Sequence, residues 1–385
     1  MSRTTVRRGR GAAAVAAVLA IALSGSVLGP AAARAAPDVL PSDAVPVPPG
    51  VSVLLVEGAS GQHLLARDAE RRRPVASTIK LVTALVAAEA LPSGTRIVPG
   101  PEVRDVGGAS AGLRPGVAWE ADDLLAALLL RSGNDAAVAI ATAVAGSEDA
   151  FVARMEERLR GLGIEADLAT ASGLDVGDAL SAAELAVVGR ALLAEPRLAG
   201  TAARREVVTA DGLVLENRNS LLTRLDGATG LKTGFTSAAG WTLVASAERA
   251  GRVLLAVVLG AGDDEERLRL AAALLEAGFD GSERAPTATA LTVRTGRGDV
   301  VLRVDAGPVT VAAGERPRAA WPVPIDPDVP PASVAILAAD VEAGRADVVV
   351  ADGRRGGAGG AGLGSAAASG AYAALRAAGA AGLLG

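Results

Sequence analysis

The sequence predicts an α/β chain in two parts, and three observations carry the prediction. Apolar strand segments at Val51–Val56 and Gln62–Ala66 open the first part, and Trp241–Ala247 and Val253–Leu259 close it. Between them runs a long series of helical patterns, from Thr78 to Ala194. After Gly281 the composition shifts to short alternating apolar stretches, which read as a separate, strand-only region.

Residues 1–36 read as an export signal. Arg3, Arg7, Arg8 and Arg10 open it. Ala12–Leu23 is apolar but short for an ordinary spanning helix, and Ala33-Arg34-Ala35 fits a small-x-small cleavage site. An uncleaved anchor is the alternative. Arg7-Arg8 lacks the apolar residues that usually follow a twin-arginine signal, so the general secretory route is expected. Loss of this segment would remove five arginines and no acidic residue from a chain whose formal charge is already −5. An acidic mature protein argues against nucleic acid as a partner.

Pro37–Gly50 is Pro-rich and reads as a linker. Glu57–Gly61 is the turn between the first two strands, with the single histidine, His63, on the second. Arg71-Arg72-Arg73-Pro74 reads as a solvated loop. Thr78–Ala90 has few polar residues and reads as a helix buried on most sides. Gly107–Gly116 is loop. A second helix starts near Trp119 with acids in its first turn, and a third spans Ala136–Val144. Phe151–Leu162 is amphipathic and stopped by Gly163. Thr170–Asp175 is turn-rich. Ser181-Ala182-Ala183-Glu184 is a capping box for a helix over Leu185–Ala194. Val207–Thr209 and Leu213–Glu216 flank a hairpin turn, and Arg267–Ala277 is a closing helix.

The chemistry starts from what is missing. The chain has no cysteine and one histidine, which excludes a cysteine nucleophile and any multi-Cys or multi-His metal site. A hydrolytic site then needs a base other than histidine. Of 38 basic residues only Lys80 and Lys232 are lysine. Arginine stays protonated in a protein, whereas a buried lysine can lose its proton and serve as a base. Lys80 follows Ser77 by three residues, a spacing that puts both on one helix face.

Two further polar groups stand out. Ser132-Gly133-Asn134 lies between two helices, where short polar side chains can point into a cleft. Ordinary capping by Asn134 or Asp135 is the alternative. Lys232-Thr233-Gly234 precedes Phe235 on a strand and offers a cation, a hydroxyl and approachable backbone, a set that suits an anionic substrate. Alone it is weak, and Arg294-Thr295-Gly296 is a similar decoy in a hairpin turn.

The order Ser-x-x-Lys, Ser-x-Asn, Lys-Thr-Gly resembles the active-site serine penicillin-recognising enzymes. More closely, residues 50–282 resemble the D-alanyl-D-alanine carboxypeptidases of peptidase family S11, the low-molecular-mass penicillin-binding proteins. The resemblance implies an antiparallel sheet flanked by helices, with a mostly helical insert, followed by a small all-β domain. It implies Ser77 as nucleophile, Lys80 as general base and Ser132 as proton relay. Asn134, Lys232, Thr233, Gly234 and Phe235 would hold substrate, with Lys232 and Thr233 on its terminal carboxylate. Lys232 would also be the cation that lowers the pKa of Lys80, and the N–H groups of Ser77 and Phe235 would form the oxyanion hole. No metal or cofactor is implied. The expected partners are a peptidoglycan stem peptide ending in D-Ala-D-Ala and, as inhibitors, β-lactams.

A class A β-lactamase needs a Glu-x-x-x-Asn element, and none of Asn134, Asn217 and Asn219 has glutamate four residues before it. An endopeptidase, a transpeptidase or a non-catalytic wall-peptide scaffold are the other readings. The expected organisation is an export signal (1–36), a linker (37–50), a catalytic domain (51–282), a β-rich domain (286–352) and a tail (353–385). The Gly/Ala-rich tail is a poor membrane anchor, so the expected place is extracytoplasmic, with membrane association open.

Overall fold

The structure is a computed structural model. It describes residues 38–285 and, beyond them, 289–295, 298–304, 308–314, 317–320, 333–338 and 341–351. The export signal and the tail lie outside the described residues.

Five strands form the main sheet, in the order His63–Arg67, Ser52–Glu57, Arg252–Ala261, Gly240–Arg249, Ala228–Thr236. Every neighbouring pair is antiparallel. The first and last apolar hairpins of the first part therefore meet at the centre, with Leu54 opposite Val257. The central strand reads as a continuous apolar run because both its faces are covered. Leu254, Ala256 and Val258 join the core on one face, and Leu255, Val257 and Leu259 the core on the other.

Eight helices are described: α1 Lys80–Ala90, α2 Ala121–Leu129, α3 Asn134–Ala145, α4 Glu148–Arg160, α5 Ala182–Leu193, α6 Pro196–Ala202, α7 Leu221–Arg224 and α8 Asp264–Gly281. Helix α8 covers one sheet face through Leu270, Leu274 and Leu275, which pack with Leu55 and Leu254. Asp263 caps it, accepting from Glu266 N at 2.7 Å. Helix α5 covers the other face and starts at the expected capping box of Ser181 and Glu184. Glycine brings both helices close. A Cβ at Gly189 would lie 2.8 Å from Leu255, and one at Gly278 would lie 2.7 Å from Leu254. Helices α1 to α4 form the helical part, with Lys80–Ala87 of α1 buried throughout.

The structure differs from the sequence reading in three places. The stretch read as a linker carries buried Leu40 and Val45, and Leu40 N–H donates to Leu64 O at 2.8 Å. It covers the outer edge of the sheet, where His63–Arg67 would otherwise leave backbone groups unpaired. Helices α6 and α7 were not expected; α6 begins at Pro196, the first-turn position where a missing N–H costs nothing. The last described strand is Val341–Ala351, longer than the Val348–Val350 its apolar core suggested.

The C-terminal region is all strand among the described residues. The expected hairpin pairs Arg294 with Asp299, and five strands follow the order Thr289–Thr295, Gly298–Val304, Val341–Ala351, Ser333–Ala338, Arg318–Ala320. A separate pair, Ser282–Ala285 with Val309–Ala312, connects it to the first part. There, buried Thr310 donates through Oγ1 to Glu57 Oε2 at 3.1 Å, and Gln62 Nε2 donates to Thr310 O at 2.8 Å.

Candidate active site

Ser77 sits in a short 3-10 turn, Ala76–Ile79, that runs straight into α1. The helix proper starts at Lys80, so the nucleophile candidate occupies the tighter turn before it. Lys80 Nζ lies 2.9 Å from Ser77 Oγ, 2.7 Å from Asn134 Oδ1 and 2.5 Å from Ser172 O. The Lys80 side chain is fully buried, while Ser77 stays partly exposed. Burial brings the Lys80 amine down from 10.5 to about 7, against the opposing pull of Asp178, Asp135 and Glu148. Arg218 adds to the lowering, and Lys80 and Lys232, both buried, repel each other.

Ser132 and Asn134 stand at the junction of α2 and α3. Ser132 has φ +62, a left-handed turn conformation, and is buried at the cleft wall. Gly133 between them has no room for a side chain: a Cβ would sit 2.7 Å from Asp135 Oδ1. The capping alternative does not hold. Gly133 is the N-cap of α3 and makes no side-chain cap. The Asn134 amide instead links Lys80 to the loop, donating through Nδ2 to Gly107 O at 2.6 Å. Asp135 is spent on the same loop, accepting from Ala111, Gly112 and Leu113 N–H at 2.9–3.1 Å.

Lys232, Thr233 and Gly234 lie on the strand Ala228–Thr236, at the edge of the main sheet and against the Ser77 turn. Lys232 is buried, and its Nζ donates to Thr233 O at 2.8 Å. Its pKa falls well below 10.5, first through burial and then through repulsion from Lys80, Arg267 and Arg218. Gly234 is where strand and nucleophile touch. A Cβ there would meet Thr242 Oγ1 and lie 2.9 Å from Ser77 N, so only glycine fits. Phe235 is 51 % exposed and packs on Trp241, ring centroids 4.5 Å apart.

One cleft of about 420 Å³ is lined by Ser77, Ser132, Asn134, Thr233, Gly234 and Phe235. Lys80 and Lys232 lie just beneath its surface, both at 1 % exposure or less. His63 stands on the far edge strand of the sheet. The sequence reading missed several contributors to this site. Arg218 and Leu174 line the cleft, and Ser172 supplies a carbonyl to Lys80. Arg267 donates to Gly234 O at 2.8 Å and lies over the Trp241 ring at 4.7 Å. Arg218 was findable, flanked by two of the three asparagines in the chain.

A serine, a lysine held near neutrality and a buried second lysine share this cleft, and the comparisons with known proteins agree with that chemistry. The family model Peptidase S11, D-alanyl-D-alanine carboxypeptidase, matches residues 47–263. The chain belongs to this family. D-alanyl-D-alanine carboxypeptidase DacB2 of Mycobacterium tuberculosis is 37 % identical over 231 residues, 58 % of this chain and 79 % of that one. The structure of penicillin binding protein 6B from Escherichia coli matches with TM-score 0.60 at 28 % identity, over 72 % of this chain and 99 % of that one. Penicillin-binding protein D2 from Listeria monocytogenes, solved in an ampicillin-bound form, matches with TM-score 0.55 at 29 % identity, over 59 % of this chain and 96 % of that one. The S11 match ends close to the start of α8, so it covers the main sheet and the helical part.

Proposed function

We propose that this protein is a serine-type D-Ala-D-Ala carboxypeptidase that trims peptidoglycan stem peptides and is acylated by β-lactams. The observation that carries the reading is Ser77 Oγ at 2.9 Å from a lysine amine brought down to about 7. Half of such an amine is neutral near pH 7, so it can accept the serine proton.

The roles follow from position. Lys80 takes the proton of Ser77, whose oxygen attacks the carbonyl between the two terminal D-alanines. The backbone N–H groups of Ser77 and Phe235 hold the oxyanion. The C–N bond then breaks, and Ser132 passes a proton to the leaving amine of D-alanine. The acyl group stays on Ser77 until water releases it and the proton returns. Lys232 and Thr233 hold the terminal carboxylate of the substrate by charge-assisted hydrogen bonds. Asn134 holds Lys80 in place and binds the substrate amide. An edge strand suits a peptide substrate, because its outward backbone groups are free to pair with an extended chain.

Export completes the reading. The basic, apolar and small-x-small segments of residues 1–36 support an extracytoplasmic protein, where peptidoglycan is found. Among the described residues no single helix is long and apolar enough to cross a membrane.

The test is D-alanine release from a diacetyl-lysyl-D-Ala-D-Ala peptide, with Ser77→Ala as control. Release that needs Ser77 and stops with penicillin is the expected result. A penicillin adduct without release would move the activity to endopeptidase or transpeptidase. Neither, from a folded sample, would leave a binding scaffold.

A further inference from the structure

We propose that Asp178 is a positioning residue for the general base: its buried carboxylate closes the loop that holds Lys80 Nζ and supplies a counter-charge facing that amine. The inference rests on Lys80 as base.

The loop Ala169–Leu180 wraps the underside of the Ser77 turn. Its Ser172 carbonyl accepts from Lys80 Nζ at 2.5 Å, and its Ala171 carbonyl accepts from Thr83 Oγ1 at 2.7 Å, one helical turn further along α1. Gly173 lies so close to Ala76 that a Cβ there would collide with the Ala76 carbonyl. At the far end of the loop, Val75 N–H donates to Asp178 O at 3.0 Å, and Arg73-Pro74 pairs with Ala179-Leu180. The residues just before Ser77 and the amine of Lys80 are thus held by one segment.

The Asp178 side chain makes that segment a closed ring. It is fully buried. Oδ1 accepts from Ala169 N–H at 2.8 Å and Thr170 N–H at 3.0 Å, and Oδ2 accepts from Thr170 Oγ1 at 2.5 Å. Thr170 Oγ1 in turn accepts from Gly173 N–H at 2.9 Å. A buried carboxylate with three donors is costly to shift, so the Ser172 carbonyl is fixed from both sides.

Charge adds to geometry. Burial works against the ammonium form of Lys80, and Asp178 is the foremost of the groups that work for it. The other charges facing Lys80 are Asp135 from α3, Glu148 from α4, Arg218 from the segment before α7, and Lys232 from the edge strand. Asp135 and Glu148 are also tied to loops, Glu148 Oε1 accepting from Ala171 N–H at 2.9 Å. Glu148 thus adds to both effects from α4, but Asp178 ties the two ends of the loop together and is the foremost of the charges that oppose loss of the Lys80 proton.

The test is the pH dependence of Ser77 acylation by a fluorescent penicillin, measured on the full chain for wild type, Asp178→Asn, Thr170→Val and Lys80→Arg. Wild-type acylation should rise with pH through a limb near the value of about 7 held by Lys80. In Asp178→Asn the limb should move to lower pH, by on the order of one unit, with a lower plateau. In Thr170→Val, which keeps the charge and loses the tether, the plateau should fall several-fold with the limb in place. A lower plateau with an unmoved limb in Asp178→Asn would mean packing alone and would overturn the proposal. Should Asp178→Asn fail to fold, a wild-type plateau in Thr170→Val overturns it instead. Acylation in Lys80→Arg would refute the base itself, a separate failure from that of Asp178.

Discussion

The two lysines of this chain occupy neighbouring pockets and differ in what surrounds them. Lys80 has three acceptors within 2.9 Å and three acids opposing its loss of charge. Lys232 has the Thr233 carbonyl, and the charges that act on it are Lys80, Arg267 and Arg218, all cationic. Both are buried and both titrate below an ordinary lysine. The surroundings divide the labour. The amine ringed by acceptors lies 2.9 Å from Ser77 Oγ and is suited to act as a base. The amine ringed by cations has no anionic partner among the described residues and is suited to receive one from the substrate.

Breaking that division at Lys80 should have the largest effect. Lys80→Arg keeps a charge but removes the base, so acylation should fall by about 10²–10⁴-fold, read as the rate of penicillin adduct formation. Unchanged circular dichroism would show that the fold survives. Lys232→Met should cost less and in a different parameter. Loss of a charge-assisted contact to the substrate carboxylate should raise KM by roughly 10–100-fold, with the larger share of kcat kept. A kcat loss with KM unchanged would place Lys232 in the chemistry instead.

The pH profile sharpens the comparison. Lys80 must be neutral to act, so kcat/KM should rise as pH climbs through about 7. Lys232 must be charged to bind, and burial lowers its pKa, so binding should weaken on the alkaline side before an exposed lysine would titrate. In Lys232→Met the alkaline limb should vanish and the acid limb remain.

Smaller effects test the frame around the lysines. Gly234→Ala places a Cβ 2.9 Å from Ser77 N and should cost about 1–3 kcal/mol of stability, seen in thermal unfolding, with slower acylation. Ser181→Ala removes the capping box of α5 and touches neither amine's hydrogen-bond partners, so it should cost about 1 kcal/mol with acylation unchanged.

What the sequence made legible follows the same division. The main sheet was readable because its strands are apolar on both faces, and α5 because Ser181 and Glu184 announce its start. The site residues were readable where chemistry restricts the choice, as in a chain with two lysines and one histidine. Ser172 acts through a carbonyl, which every residue owns, so no side-chain pattern reveals it. Asp178 and Arg267 act on the backbone of other segments, and such contacts depend on tertiary approach rather than on spacing. The linker expected at 37–50 misread a Pro-rich stretch whose few apolar residues, Leu40 and Val45, are the ones that dock.

Burial of both lysines has a practical consequence for handling the protein. With Lys80 at 0 % and Lys232 at 1 % exposure, the native surface offers no lysine side chain to an amine-reactive dye, a cross-linker or a lysine-specific endoprotease. Cutting after either residue requires the cleft itself to open. Limited digestion would therefore report opening of the active site directly, and a bound β-lactam should slow it in proportion to how firmly the cleft is held shut.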